Sequence, residues 1–133
     1  MRSPLAKRII PVERRNIAPR DVIEFTVPMP PSTNALFANA SNGRIKSRDY
    51  RNWIKEAGWI VMAARVGCLF GPVSVEITLP SNMRGDPDNR VKPILDLCVR
   101  LGLIRADTAK VVKSINVTTG PVDGAKVTIR RAA

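Results

Sequence analysis

The sequence predicts an α+β fold, a two-layer sandwich in the order β-α-β-α-β-β, with a four-stranded mixed sheet and two helices on one face. Three observations predict it. Short segments of strand character recur at 22–28, 73–80, 109–119 and 124–131. Two segments, 47–67 and the stretch that ends near Leu101, read as helices between them. No internal repeat or second domain interrupts the 133 residues, a length suited to one core.

Taken in order, residues 1–20 carry Arg2, Lys7, Arg8, Arg14, Arg15 and Arg20 against Glu13 alone, punctuated by Pro4, Pro11 and Pro19. They read as a flexible basic arm, either an extended phosphate-binding tail or a leader without a role. A single domain is expected over 21–133. In "VIEFTVP", Ile23, Phe25 and Val27 alternate with Glu24 and Thr26, as on a half-buried strand. "MPPSTNALFANASNGRIKS" follows, and its Pro, Ser, Asn and Gly content predicts a long loop of the kind that often carries function.

In "SRDYRNWIKEAGWIVMAARVG", Ser47 suits an N-cap, Asp49 suits the first turn, and Gly67 a stop. Trp53, Ala57, Ile60, Val61 and Ala64 form one apolar stripe. "VSVEITLP" is a strand with Val73, Val75, Ile77 and Leu79 on one face. An acidic stretch and the second helix come next, with Gly102 as its stop. "AKVVKSINVTT" and "GAKVTIRR" read as strands, and "GPVDG" between them predicts a hairpin.

Hydrophobic residues make up 44% of the chain, enough for a packed interior. Lys and Arg number 22 against 11 Asp and Glu, a formal charge of +11. A surplus of that size points to a polyanion, nucleic acid before an anionic membrane, because no strongly amphipathic basic helix or lipidation motif is present. The longest apolar run, "GWIVMAARVGCLFG", is broken by Arg65 and is too short to span a bilayer. No apolar signal-peptide core follows the basic N-terminus. Cys68 and Cys98 stand in no metal-ligand spacing and read as reduced, mostly buried thiols of a cytoplasmic protein. The chain has no His, which excludes His-dependent triads and His-ligated zinc. Acid–base chemistry is left to carboxylates, Lys or metal-bound water.

"MRGDPDNRVKPILDLC" concentrates acid in this basic chain: Asp86, Asp88 and Asp96, threaded by Arg90 and Lys92. Carboxylates this close repel, so a helix N-terminus, a lysine or a metal ion must offset them. Asp88, Lys92 and Asp96 are spaced i, i+4, i+8, one face of a helix. Pro93 requires either a helix that begins close to it or an irregular first turn. Each acid also has an ordinary reading. Asp88 or Asn89 suits an N-cap, Asp-Pro-Asp suits a turn, Asp96 suits a partner for Lys92 or Arg100, and Asp107 can cap a turn.

"GDPDNRVKPILD" followed by "GLIRADTAKVV" resembles the core of the RusA family of Holliday-junction resolvases of bacteria and prophages. That family has an acid-x-acid-Asn, a Lys four residues after the second acid, an Asp four after that, and an Asp-Asp before a strand. Asp86, Asp88, Asn89, Lys92 and Asp96 match in order, and Asp107 stands 19 residues after Asp88, where the third essential carboxylate is expected. "VPMPPSTNALF" resembles the family's Pro-Pro-Ser-x-Asn loop, and "RDYRNW" its first helix. The resemblance covers roughly residues 22–131, and the combined spacing is more specific than any one motif. In departure, Ala106 replaces the first Asp of the pair, one residue is inserted between Asp107 and "KVV", Gly85 replaces a common basic residue, and the N-terminal arm is extra.

The resemblance implies a Mg²⁺-dependent endodeoxyribonuclease with a RusA-like fold, with Mn²⁺ as an alternative metal. Asp86, Asp88 and Asp107 would be its ligands and, with Lys92, its catalytic residues. A divalent cation offsets phosphodiester charge and lowers the pKa of bound water. Lys92 would stabilise charge on the phosphate, or else protonate or orient an attacking or leaving oxygen. Arg44, Lys46, Arg48, Arg51 and Lys55, with Asp49 the opposing acid, suit phosphate contacts, or an ordinary solvated helix face. Arg84, Arg90 and Arg105 flank the acids and would hold the DNA backbone. Asn34 and Phe37 lie in the loop that the resemblance places near DNA, where Phe37 would wedge at a junction or pack on the core.

Two symmetric nicks at a four-way junction call for a two-fold homodimer, with Trp59, Leu69 and Phe70 as candidate interface residues. Two rival functions stand beside this one. One is a non-catalytic nucleic-acid-binding module with the acids as caps. The other is a nuclease of the same chemistry on flaps or forks.

Overall fold

A computed structural model describes residues 19–40 and 43–132. It is α+β, with a four-stranded mixed sheet, two helices and a separate two-stranded hairpin. The strands are β1 (Val22–Val27), β2 (Phe37–Ala40), β3 (Gly43–Lys46), β4 (Val73–Pro80), β5 (Val112–Gly120) and β6 (Ala125–Arg131). The helices are α1 (Arg48–Ala64) and α2 (Val91–Arg100), and short 3₁₀ turns cover Thr33–Ala35 and Pro87–Arg90.

The main sheet runs β1-β6-β4-β5, with β4 and β5 parallel and the other pairs antiparallel. Alternation in β1, β4 and β6 buries one face. Ile23, Phe25, Val27, Val75, Ile77, Leu79, Val127 and Ile129 pack in one cluster with Trp53, Ala57 and Val61 of α1 and Ile94, Leu97 and Cys98 of α2. The period-two pattern decides which residues face the helices, and it does so as the sequence predicts.

The expected 120–124 hairpin does not form. β5 and β6 are separated by β4, which pairs with both. Burial explains the order. Ala125, Val127 and Ile129 of β6 are fully buried and need a neighbour on each side, whereas β5 is mostly exposed and suits an edge. The β4-α2-β5 unit is a parallel crossover, and short sequence separation between β5 and β6 cannot override it. The connection passes the end of β4, where the Ser81 amide donates to the Gly120 carbonyl at 2.9 Å.

The expected loop over 29–47 contains a 3₁₀ turn and the β2-β3 hairpin, so the observed order has two extra strands before α1. Four-residue strands rich in Ala, Asn and Gly leave little periodic signal. The Ser47 hydroxyl does cap α1, accepting from the Tyr50 amide at 3.1 Å. α1 ends at Ala64, ahead of Gly67, because Arg65 takes a left-handed conformation with φ 50°. Its buried stripe is Tyr50, Trp53, Ala57, Gly58 and Val61, while Ile60 and Ala64 of the expected stripe are exposed. Leu69, an expected interface residue, is core, whereas Trp59 and Phe70 are exposed. Of the arm over 1–20, only Pro19 and Arg20 lie among the described residues, and both are tied to Cys68: Pro19 by a β-bridge, Arg20 by a hydrogen bond of 2.9 Å from its amide to the Cys68 carbonyl. Among the described residues no helix is long and apolar enough to cross a membrane.

Candidate functional site

The acidic segment leaves the sheet at the end of β4. Gly85 has φ 85°, a left-handed conformation that disfavours any side chain, although nothing crowds the position. The glycine that departs from the RusA pattern therefore answers a backbone requirement. Asp86 occupies the N-cap position of the 3₁₀ turn but makes no side-chain capping bond. Arg90, not Asp88 or Asn89, takes the N-cap position of α2. α2 begins at Val91, two residues before Pro93, so Pro93 sits in the first turn where its missing amide breaks no helical bond, and the carboxylates of Asp86 and Asp88 are exposed.

Lys92 is the junction of the site. Its Nζ lies 3.1 Å from Asp96 Oδ1, one turn along α2, and 3.8 Å from Asp107 Oδ2, in the segment before β5. The expected face of Asp88, Lys92 and Asp96 is only half present. Among the described residues, the ion pairs of Lys92 are with Asp96 and Asp107, because Asp88 lies in the 3₁₀ turn rather than on the helix. The hydrogen bond that Lys92 donates to Asp96 raises the pKa of Lys92 above its ordinary value. Desolvation opposes that rise, and the negative charges of Asp96 and Asp107 add to it. Lys92 therefore holds its proton more firmly than an ordinary lysine and stays a cation at neutral pH.

Asp96 has a second partner. Tyr50 of α1 donates its hydroxyl to Asp96 Oδ2 at 3.1 Å. Burial and the nearby Asp96 carboxylate push the Tyr50 pKa up to about 12, so the hydroxyl stays a donor. Phe37 meets the Tyr50 ring edge-on at 6.3 Å, so it packs on the core while remaining 39% exposed. Tyr50 is a site residue that sequence reading missed. Its helical position marks it as core, and only its contact across two helices reveals the polar role.

The loop before the hairpin is tied to the acidic turn. Thr33 Oγ1 donates to the Asn89 carbonyl at 2.8 Å, and an Arg90 guanidinium nitrogen donates to the Pro30 carbonyl at 2.6 Å. Arg90 is thereby directed inward, and its Nε is buried with no partner among the described residues. Asn34 is exposed in the first 3₁₀ turn, the backbone of Arg44 lies on β3, and Arg48 and Arg51 are exposed at the start of α1. The Arg51 guanidinium donates to the carbonyl of half-buried Lys46 at 2.7 Å. Lys55, Arg84 and Arg105 are exposed. A cavity of about 410 Å³ opens beside Asp96 and Asp107, with Tyr50 and Ile54 in its wall and Lys46 and Arg100 as its cations.

Among the described residues, no group of three or more His, Cys, Asp or Glu side chains is gathered to hold a metal ion. Mg²⁺ commonly takes one or two carboxylates and completes its shell with water and substrate phosphate. Asp86, Asp88 and Asp107 are exposed and carry the oxygen donors that Mg²⁺ takes, but they are not gathered into one ligand group.

Comparison of the chain with protein-family models and with curated proteins finds no match.

Proposed function

We propose that the protein is a Mg²⁺-dependent endodeoxyribonuclease of the RusA type that resolves four-way DNA junctions by paired, symmetric phosphodiester hydrolysis in recombination and repair. The observation that carries this reading is the approach of Lys92 to Asp107. It joins the two segments, "GDPDNRVKPILD" and "GLIRADTAKVV", on which the sequence resemblance rests. A formal charge of +11 supports a nucleic-acid substrate.

In this reading Asp86, Asp88 and Asp107 would hold the metal ion, which would supply charge to offset the phosphate and acidify bound water. Lys92, kept protonated by its carboxylate partners, faces the negative charge that grows on the phosphate. The exposed cations Arg48, Arg51, Arg84 and Arg105 contact flanking phosphates. Two copies related by a two-fold axis supply the two nicks.

The test is a nicking assay on a synthetic four-way junction, in Mg²⁺ and then with EDTA, using the wild type and Asp88→Asn. Expected are paired nicks that need the metal, lost in Asp88→Asn while junction binding persists. Binding without nicking by the wild type would make the protein a non-catalytic module. Faster cleavage of flaps or forks than of junctions would assign the same chemistry to another branched substrate.

A further inference from the structure

The contacts of Lys92 extend beyond the acids that the sequence pairs with it. Asp96 uses both carboxylate oxygens, Oδ1 toward Lys92 and Oδ2 toward the Tyr50 hydroxyl, each at 3.1 Å. Tyr50 is itself fixed. Its side chain is 1% exposed, its ring lies between Phe37 and Trp53, and its amide is bonded to Ser47. Ser47 Oγ donates in turn to the Ala35 carbonyl, and Trp53 Nε1 donates to the Pro28 carbonyl, both at 2.8 Å. The rigid end of this chain of contacts is the core, and its free end is an ammonium group on a four-carbon stem, 54% exposed.

A lysine in that setting has several rotamers open to it and loses entropy when held in one. We propose that Tyr50 and Asp96 are positioning residues, a two-helix relay in which the Tyr50 hydroxyl orients the Asp96 carboxylate and Asp96 holds the Lys92 ammonium toward Asp107. Asp96 then serves Lys92 rather than a metal ion. The loop and the N-terminus of α1, which carry the basic residues, are coupled to Lys92 through one hydroxyl. The consequence for nicking rests on the function proposed above; the geometric role does not.

The experiment uses the full chain as wild type, Tyr50→Phe, Asp96→Asn and the double variant. Tyr50→Phe keeps the ring and Asp96→Asn keeps the shape, and circular dichroism and thermal melting check that each folds. The first readout is the side-chain ¹⁵N resonance of the Lys92 ammonium without metal or DNA, assigned with Lys92→Arg. The wild type is expected to show a slowly exchanging ammonium signal, weakened in Tyr50→Phe and lost in Asp96→Asn. The second readout is single-turnover nicking of a four-way junction at saturating protein. A fall of roughly tenfold or more is expected for Asp96→Asn, the scale of losing a hydrogen bond to a charged group, and a smaller fall of about fivefold for Tyr50→Phe, which acts on Lys92 only through Asp96. The double variant should match Asp96→Asn, because both act along one path. Junction affinity should stay within about twofold, since neither residue reaches the phosphates in this scheme.

An unchanged Lys92 resonance in folded Asp96→Asn overturns the relay. So do multiplicative losses in the double variant. A wild type that binds junctions without nicking them overturns the proposed function instead, and the Lys92 resonance then still decides the geometric claim.

Discussion

Tyr50, on α1, donates a hydrogen bond of 3.1 Å to Asp96, on α2, 46 residues further along the chain. The contact fastens the helix that begins at the basic cluster to the helix that carries Lys92. It also sets how this hydroxyl ionises.

Tyr50 is the single tyrosine of the protein, so tyrosinate absorbance reports on it alone. Its pKa is raised by burial first and by Asp96 second, to about 12. The unfolded chain loses this proton near the ordinary value of about 10. The stability linked to Tyr50 is therefore fully present below about pH 10 and is lost as pH rises from there toward about 12. A near-ultraviolet titration of the native protein should show tyrosinate forming with a midpoint near pH 12 rather than near pH 10. Urea unfolding of Tyr50→Phe should lack the alkaline loss that the wild type shows. Ionisation of the folded wild type near pH 10 would contradict the buried hydrogen bond.

Ser47→Ala removes the side-chain acceptor at the start of α1 and frees the Tyr50 amide. The expected loss in denaturant stability is about 1 kcal/mol, within the usual range for an N-cap. Ser47→Asp should retain most of the wild-type stability, since it keeps an acceptor at the N-terminus.

Gly124 precedes β6 at the point where that strand meets β1. A Cβ there would collide with the Val27 carbonyl, which is backbone and cannot swing aside. Gly124→Ala must move the β1-β6 register at Val27 and Ala125, and should destabilise by about 1–3 kcal/mol, the scale of an overpacked core. Gly85→Ala tests a different constraint, left-handed φ without crowding. It should cost about 1 kcal/mol, and the two are separated by urea unfolding.

Cys98 is fully buried on α2, and burial pushes its thiol pKa up to about 12. A disulfide-exchange reagent at mildly alkaline pH should leave Cys98 unlabelled in the native protein and modify it only as the chain unfolds. The labelling rate then measures opening of the core around α2. Rapid native-state labelling of Cys98 would show that α2 opens independently of the sheet.

Much of this was legible in the residues. Ile23, Phe25 and Val27, like Val73, Val75, Ile77 and Leu79, announce their strands and their buried faces by alternation alone, and Ser47 announces its helix by the chemistry of its hydroxyl. The acidic segment with Lys92 was conspicuous because acid is scarce elsewhere in the chain. These are local signals, set by the period of a strand or by one side chain reaching one amide.

The α+β class, the main strands and helices, and the cluster of acid and Lys92 within 86–107 follow from the residues read along the chain. That β6 lies between β1 and β4 rather than against β5, that Lys92 pairs with Asp107 and not Asp88, and that Tyr50 donates to Asp96 emerge once the chain is folded. Periodicity says which face of an element is buried, but not which element covers it. That choice depends on burial summed over the whole sheet and on contacts between residues far apart in the chain.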